Sequence, residues 1–352
     1  MKVDFLIVGH GIAGISIYEH LTAAGKNCLV INEEKEFSSS KVAAGLYNPI
    51  TGRKMKQTWK ANELFPYLQG FYGQLEKDLK AKILIEKSIY RPFASIEDQN
   101  EWLSNQYNHE NFVAKTYTSS QFNEIVNDPF GGILLKNSGF VDLKKLILEH
   151  RNHIQKKQAY KAGRFKYNQL KIEKDRFIYS DIEALNLIFC DGPLSSNPYF
   201  DWIPVAPVKG ELLHIKLEQQ LPDDIIFNKG VFILRHQEGN YYRVGSTYEW
   251  KDLSTTPTEK AKNQIINKLN ELIKVPYQIV DQVAGIRPAT KDRRPLIGTH
   301  PTIKNMFIFN GLGTKGVSLA PYFAQSLTNY ILNRNDLHNE VNINRYYSLY
   351  SS

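Results

Sequence analysis

The chain has 352 residues, of which 42% are hydrophobic, 12% aromatic and 23% charged, a balance that excludes a disordered polymer and supports a large core shared by roughly two domains. A formal net charge of +8 favours anionic ligands by long-range steering, without the concentrated basic block that marks a nucleic-acid binder. Two cysteines, Cys28 and Cys190, exclude a disulfide framework, and apolar runs such as Phe5–Val8 fall far short of the ~20 residues that span a bilayer.

Val3, Phe5, Leu6, Ile7 and Val8 predict a strand buried on both faces. Asp4 interrupts the run and no small-residue cleavage pattern follows, so the N-terminus does not read as a signal peptide and a cytoplasmic protein is expected. Next comes Gly9-His10-Gly11-Ile12-Ala13-Gly14, opening a helix predicted over Ile12–Ala24 with Ala13, Ile17, Leu21 and Ala24 on one face. Gly25 suits the left-handed residue that ends a helix, and Cys28–Ile31 predicts a second buried strand.

In that setting each glycine has a physical task. Gly9 permits the tight turn, Gly11 lets a diphosphate approach the backbone, and Gly14 lets the helix pack close to the strand. The helix start then offers free N–H groups and a positive dipole end to the anion. A ribose-binding acid is expected at the end of the second strand, where Asn32 stands with Glu33 one place later; either one can serve. His10 reads as a turn residue half in solvent.

The strand–helix alternation of a plain NAD dehydrogenase does not continue. A polar loop, Ser38 to Gly45, precedes a helix predicted over Lys60–Lys82 and a strand or hairpin over Lys82–Phe93. Leu143–Gln155 predicts a helix, Ala159–Gly192 a strand meander, and Val208–Ser246 a strand-rich stretch with period-2 alternation. Lys260–Lys274 predicts an amphipathic helix with Ile265, Ile266, Leu269 and Ile273 close to one face. With no internal repeat or long linker, a nucleotide-binding domain interrupted by a sheet-based substrate domain is expected. The boundaries read as 1–81, 140–205 and 282–352 for the first and 82–139 and 206–281 for the second.

Three further segments complete a set: Ser40-x-x-Ala43-Ala44-Gly45, Gly285-Ile286-Arg287-Pro288 continuing to Gly298, and Phe307 to Pro321 with Asn310-Gly311-Leu312-Gly313-Thr314-Lys315-Gly316 at its centre. With the N-terminal glycines these resemble the FAD-dependent D-amino-acid oxidase superfamily, which includes glycine and sarcosine oxidases. The pattern is nearest to the oxidase domain of bifunctional tRNA 5-methylaminomethyl-2-thiouridine biosynthesis enzymes. Pro207 to Glu211 and Val244 to Thr247 look like internal strands of that group. The resemblance implies an α/β fold: a Rossmann-like FAD-binding domain interrupted by a mainly antiparallel sheet domain.

The same resemblance implies cofactor contacts from Gly9, Gly11, Ile12, Ala13, Gly14, Asn32, Glu33, Ser40, Lys41, Ala44, Gly45, Phe165, Asp191, Gly192, Arg287, Gly311, Leu312, Gly313, Thr314, Lys315 and Gly316. Phe165 stands where a backbone amide meets adenine. Neither cysteine lies near the C-terminal glycine motif, so noncovalent FAD is expected. Arg287 stands where the family's arginine grips a substrate carboxylate, a task suited to a planar guanidinium; the alternative is an internal ion pair with Asp292. Lys315, at a helix start, suits stabilisation of charge on a reduced flavin; the alternative is a solvated loop lysine. Arg293 and Arg294 read as facing solvent. Phe232 stands where the family often has a tyrosine, with Arg235, Tyr241 and Tyr242 nearby.

The implied reaction is oxidation of a C–N bond in an amino acid or secondary amine carrying a carboxylate. Hydride passes to flavin N5 and the imine is hydrolysed, with oxygen or a quinone as final acceptor. The same chemistry on a carboxymethylaminomethyl-modified tRNA uridine is the alternative, with Arg151 to Tyr167 and Arg53-Lys54-Met55-Lys56 as basic contacts. A flavin-binding protein without catalysis is the third class. No metal-ligand spacing and no nucleophile elbow occurs.

Overall fold

The computed structural model describes residues 1–34, 38–52, 54–105, 109–193, 197–235 and 240–350. The N-terminal apolar run forms the strand Lys2–Val8, buried from Phe5 to Val8 between the parallel strands Cys28–Asn32 and Ile182–Phe189. Burial on both faces explains why it lacks polar alternation. Tyr160–Ala162 extends the sheet in parallel beyond Cys28–Asn32. The far edge of Ile182–Phe189 is shared. Its first half pairs antiparallel with Arg176–Tyr179, and its last residues pair in parallel with Met306–Asn310, which in turn carries Leu296–Thr299. Two distant segments, Lys2–Val8 and Met306–Asn310, thus end on the same edge with their glycine turns side by side.

The helix Ile12–Ala23 packs against the C-terminal helix Gly316–Ile331, which also meets Ala61–Leu79. A second eight-stranded sheet runs Tyr277–Arg287, Val208–Leu217, Tyr241–Gly245, Val231–Arg235, Ile225–Lys229, Ser88–Pro92, Gly132–Leu135 and Val113–Tyr117. Its pairings are antiparallel except that of Ile225–Lys229 with Ser88–Pro92. The expected fold class, a Rossmann-like domain with an antiparallel sheet domain, is therefore observed. Among the described residues no helix is long and apolar enough to cross a membrane.

Two details differ from the sequence expectation. Lys82–Phe93 is no hairpin: Leu84–Glu86 pairs with Gly139–Val141 in a small three-stranded sheet, whereas Ser88–Pro92 joins the large second sheet. Tyr277–Arg287 pairs with Val208–Leu217 along its whole length, so the second sheet runs past residue 281 and delivers Arg287 at its end.

Candidate active site

The first glycine turn is built by close approach. A β-carbon on Gly9 would lie 2.4 Å from the Cys190 carbonyl oxygen, and one on Gly14 would lie 2.0 Å from the Gly9 carbonyl oxygen. Gly9 has φ +106°, a conformation that suits glycine alone. The turn therefore presses strand, helix and the end of Ile182–Phe189 together. At Gly11, by contrast, an added β-carbon would meet only Ser40 Oγ, at 3.1 Å. The helix starting at Ile12 has no acidic residue in its first turn, and the Ile12 N–H donates to Ser40 Oγ at 3.2 Å. Ala13 follows, buried.

His10 does not sit half in solvent. It is 3% exposed; its Nε2 lies 2.8 Å from His150 Nδ1, and His150 Nε2 lies 2.8 Å from Glu19 Oε1. Burial, followed by the fields of His150, Arg151 and Lys41, holds its pKa well below the usual 6.5. Helix packing, absent from local sequence, supplies this chain of partners. Asn32 Oδ1 accepts from the His10 N–H at 2.9 Å, and its amide donates to Tyr160 Oη at 3.2 Å. Glu33 is exposed beside it.

The short helix Ser39–Val42 joins the two halves of the site. Ser40 reaches the first glycine turn, and the Ser39 hydroxyl donates to the Ile286 carbonyl next to Arg287. Lys41 lies half-buried on that helix. Ala44 and Gly45 are buried, and the Gly45 carbonyl accepts from the Val141 N–H at 3.0 Å.

Asp191 and Gly192 follow the strand Ile182–Phe189 and tie it to the second glycine turn. Asn310 Nδ2 donates to the Gly192 carbonyl at 2.6 Å and lies 3.4 Å from Asp191 Oδ1. Burial raises the Asp191 pKa to about 6, against the hydrogen bonds from Tyr167, Asn197 and Asn310. Phe165 is buried in the core cluster that includes Phe189, its ring stacked on Tyr179 with centroids 4.4 Å apart.

Gly311 to Gly316 forms the second turn, with the Gly313 N–H donating to the Pro288 carbonyl at 3.0 Å. Arg287 is thereby set beside that turn. Leu312 is buried and Thr314 exposed. Lys315 caps the helix Gly316–Ile331 and is not a solvated loop residue: its Nζ donates to Thr51 Oγ1 and Thr58 Oγ1, each at 3.3 Å. Burial, followed by Arg293 and Arg294, pulls its pKa from 10.5 to about 8. The short strand Ile50–Thr51 is held in place by Arg91, which donates to the Ile50 and Gly52 carbonyls at 3.0 and 2.9 Å.

Arg287 does not pair with Asp292, which instead bonds Arg345 at 3.2 Å and Tyr346 at 3.1 Å. Its Nη1 donates to the Thr247 carbonyl at 3.0 Å and its Nη2 to Ser246 Oγ at 2.7 Å, with Cζ 4.8 Å from the Tyr248 ring centroid. Burial lowers its pKa. Arg294 is not free in solvent either: it pairs with Glu340 at 3.0 Å and lies 4.0 Å over the Trp59 ring.

Sequence reasoning missed Thr51, Thr58, Arg91, Gly210 and Tyr248. Gly210 alone carried a signal, an isolated glycine inside a strand pattern. Phe232 pairs opposite Gly245, near Ser246, whereas Arg235 pairs with Asp223 at 3.1 Å and Tyr242 Oη accepts from the Leu221 N–H; neither meets Arg287. In the basic stretch, Arg151 and Lys161 pair with Glu34 and Asp181 at 2.9 and 2.6 Å, while Lys156, Lys157, Arg164 and Lys166 are exposed. Arg53 lies outside the described residues.

The family described as FAD dependent oxidoreductase (DAO) matches residues 4–330. A glycine oxidase from Pseudomonas putida is 22% identical over 94% of this chain and 95% of its own length. The tRNA 5-methylaminomethyl-2-thiouridine biosynthesis bifunctional protein MnmC of Legionella pneumophila is 26% identical over 84% of this chain but only 45% of its own length. The first curated relatives are thus matched over less than half their length. Among solved structures, glycine oxidase from Geobacillus kaustophilus superposes with a TM-score of 0.77 at 16% identity, covering 96% of each chain. Iminodiacetate oxidase from Chelativorans sp. BNC1 gives 0.75 at 18% identity, covering 97% of this chain and 98% of that one. At these identities the two superpositions speak to the fold. The match across most of the sequence settles the family: this chain belongs to the FAD-dependent oxidoreductases of the DAO family.

Proposed function

We propose that the chain oxidises the C–N bond of an amino acid or secondary amine that carries a carboxylate, with FAD lying between its two glycine turns. The residues fit that cofactor. Gly11 puts no side chain over a helix start free of acidic residues, with the Ser40 hydroxyl beside it, where a diphosphate is favoured. Asn32 stands at the strand end where a ribose would lie, and Lys315 brings a cation to the second helix start. FAD, when bound, supplies the acceptor for the hydride removed from the carbon next to nitrogen.

Arg287 carries the reading. Its guanidinium is half-buried and lies over the Tyr248 ring, and among the described residues no carboxylate lies within ion-pair distance of it. A half-buried cation without a counter-charge favours an anionic ligand, and a substrate carboxylate supplies one. Held there, the substrate's amine and its neighbouring carbon are positioned, and the chain's further work is orientation and exclusion of water.

The test is an anaerobic screen of amino acids and N-substituted glycines against the FAD-loaded protein. Loss of the oxidised flavin colour with carboxylate-bearing amines, weakened sharply by Arg287→Ala, supports the reading. Colour that survives every amine overturns it in favour of flavin binding without catalysis.

The alignment with the Legionella relative over 84% of this chain favours a second reading, in which the amine is borne on a modified tRNA uridine. Salt-sensitive tRNA retention without turnover of small amines distinguishes it.

A further inference from the structure

The loop that follows the strand Tyr241–Gly245 displays two aromatic rings on a rigidly held base. Lys209, 0% exposed, sends its Nζ to Asp252 Oδ2 at 2.6 Å, Ser254 Oγ at 3.3 Å and the Thr256 carbonyl at 2.5 Å. The backbones of Lys209 and Glu249 bond each other in both directions, at 2.8 and 3.0 Å. A buried ammonium on three loop acceptors fixes that loop firmly. Yet the same loop leaves Tyr248 52% and Trp250 61% exposed, their ring centroids 6.3 Å apart and 26° from parallel.

Single exposed aromatics need no explanation; a stacked pair on an anchored loop does. The pair also continues the substrate site. The Arg287 guanidinium lies 4.8 Å from the Tyr248 ring centroid, and Tyr248 in turn faces Trp250. Cation and two rings form one unbroken run, which suits a ligand with a carboxylate at one end and a flat ring at the other. A methyl substituent gains nothing from a ring face, whereas a planar group stacks on it.

We propose that Tyr248 and Trp250 form a specificity-determining stacking subsite for a planar ring, carried through one carbon on the nitrogen of an N-substituted glycine whose carboxylate Arg287 holds. The inference rests on the role given to Arg287 above. An aryl-substituted glycine and a carboxymethylaminomethyl-substituted pyrimidine nucleoside share this chemistry.

Binding is measured without turnover, on the FAD-loaded full chain, by equilibrium dialysis of methoxyacetate and benzyloxyacetate, ether analogues of sarcosine and N-benzylglycine. Benzyloxyacetate is expected to bind about tenfold more tightly. That ratio should fall towards unity in Trp250→Ala and return in Trp250→Phe. Equal affinities in the unaltered protein, or a ratio that survives Trp250→Ala, overturns the proposal. Failure of both compounds to bind a yellow protein overturns it together with the role of Arg287. Discrimination by the ring without reduction of the flavin by any amine leaves the subsite standing and removes the oxidation reading. Dialysis of 5-carboxymethoxymethyluridine, the ether analogue of the nucleoside, against benzyloxyacetate then separates the two sources: tighter binding that depends on Trp250 identifies the ring this subsite takes.

Discussion

Gly210 and Arg287 approach so closely across neighbouring strands that a β-carbon on Gly210 would lie 1.9 Å from Arg287 Nη2 and 2.1 Å from Cζ. In the register, Val208 stands opposite Arg287 and Gly210 opposite Gly285, so the missing side chain forms the floor on which the guanidinium rests. In Gly210→Ala the clash falls on the flexible end of Arg287, which swings aside while the strand pairing persists. The expected result is a folded, yellow protein with a melting temperature little changed. Its kcat/KM for carboxylate-bearing amines should fall about 10- to 100-fold, as a charge-assisted bond is lost. Steady-state kinetics normalised to flavin content read this directly, and an unaltered KM would place the guanidinium elsewhere.

Lys315 predicts a pH profile. Its folded-state pKa of about 8 lies below the ordinary 10.5. Between these values the unfolded chain keeps a proton that the folded chain has released, so stability rises with pH across the window and the cost of burying the charge is fully present below about 8. Lys315→Met should therefore be more stable than the unaltered protein below that pH and should flatten the rise above it. If the lysine stabilises negative charge on the reduced flavin, the anaerobic reduction rate should decline as pH passes about 8, and Lys315→Met should remove that limb. Thermal melts and stopped-flow reduction across the same pH series check both.

The parts of this site that were legible in the sequence are those built from neighbours along the chain. The strand, glycine turn and helix from Lys2 to Ala23, and the turn preceding Gly316–Ile331, follow from local rules of sterics and periodicity. The parts that were not legible are meetings across long separations. Lys315 finds Thr51 and Thr58 because Arg91, from the other sheet, holds the carbonyls of Ile50 and Gly52. Lys82–Phe93 reads locally as a strand or hairpin, and only pairing with Gly139–Val141 and Gly132–Leu135 sends its halves to different sheets. His10 looked like a solvated turn residue because its partner, His150, is 140 residues away.

That partnership is itself testable. With Glu19 accepting from His150 Nε2–H, a neutral His150 turns its Nδ1 lone pair towards His10 Nε2–H, so in that form one carboxylate fixes two tautomers. His150→Phe strands the buried His10 donor and takes its partner from the half-buried Glu19 carboxylate. The expected loss is about 2 kcal/mol or more of stability, measured by urea unfolding. FAD affinity, read by fluorescence titration, should weaken too, because His10 sits between Gly9 and Gly11. The unaltered protein should also lose stability as pH falls below 6.5, where unfolded His10 takes a proton that the folded state refuses. Coincident denaturation curves on either side of that pH would remove His10 from the account.

Asp191 predicts the opposite slope. Its folded pKa of about 6 lies above the ordinary 3.8, because burial outweighs the hydrogen bonds from Tyr167, Asn197 and Asn310. Over that interval the folded state holds a proton that the unfolded state has lost, so stability declines as pH rises and the full cost is present above about 6. Asp191→Asn keeps an acceptor for Tyr167 and removes the charge. It should be more stable than the unaltered protein at neutral pH, on the order of 1–2 kcal/mol, with the difference vanishing below 3.8. Asp191 also stands next to the Gly9 turn: its backbone nitrogen would lie 3.2 Å from a β-carbon on Gly9. A buried carboxylate there repels a diphosphate, so Asp191→Asn should bind FAD more tightly above pH 6 and equally well in acid. Paired melts and FAD titrations through this range decide it: tighter binding that persists in acid would trace the gain to shape, and parallel pH profiles would show that Asp191 does not titrate there.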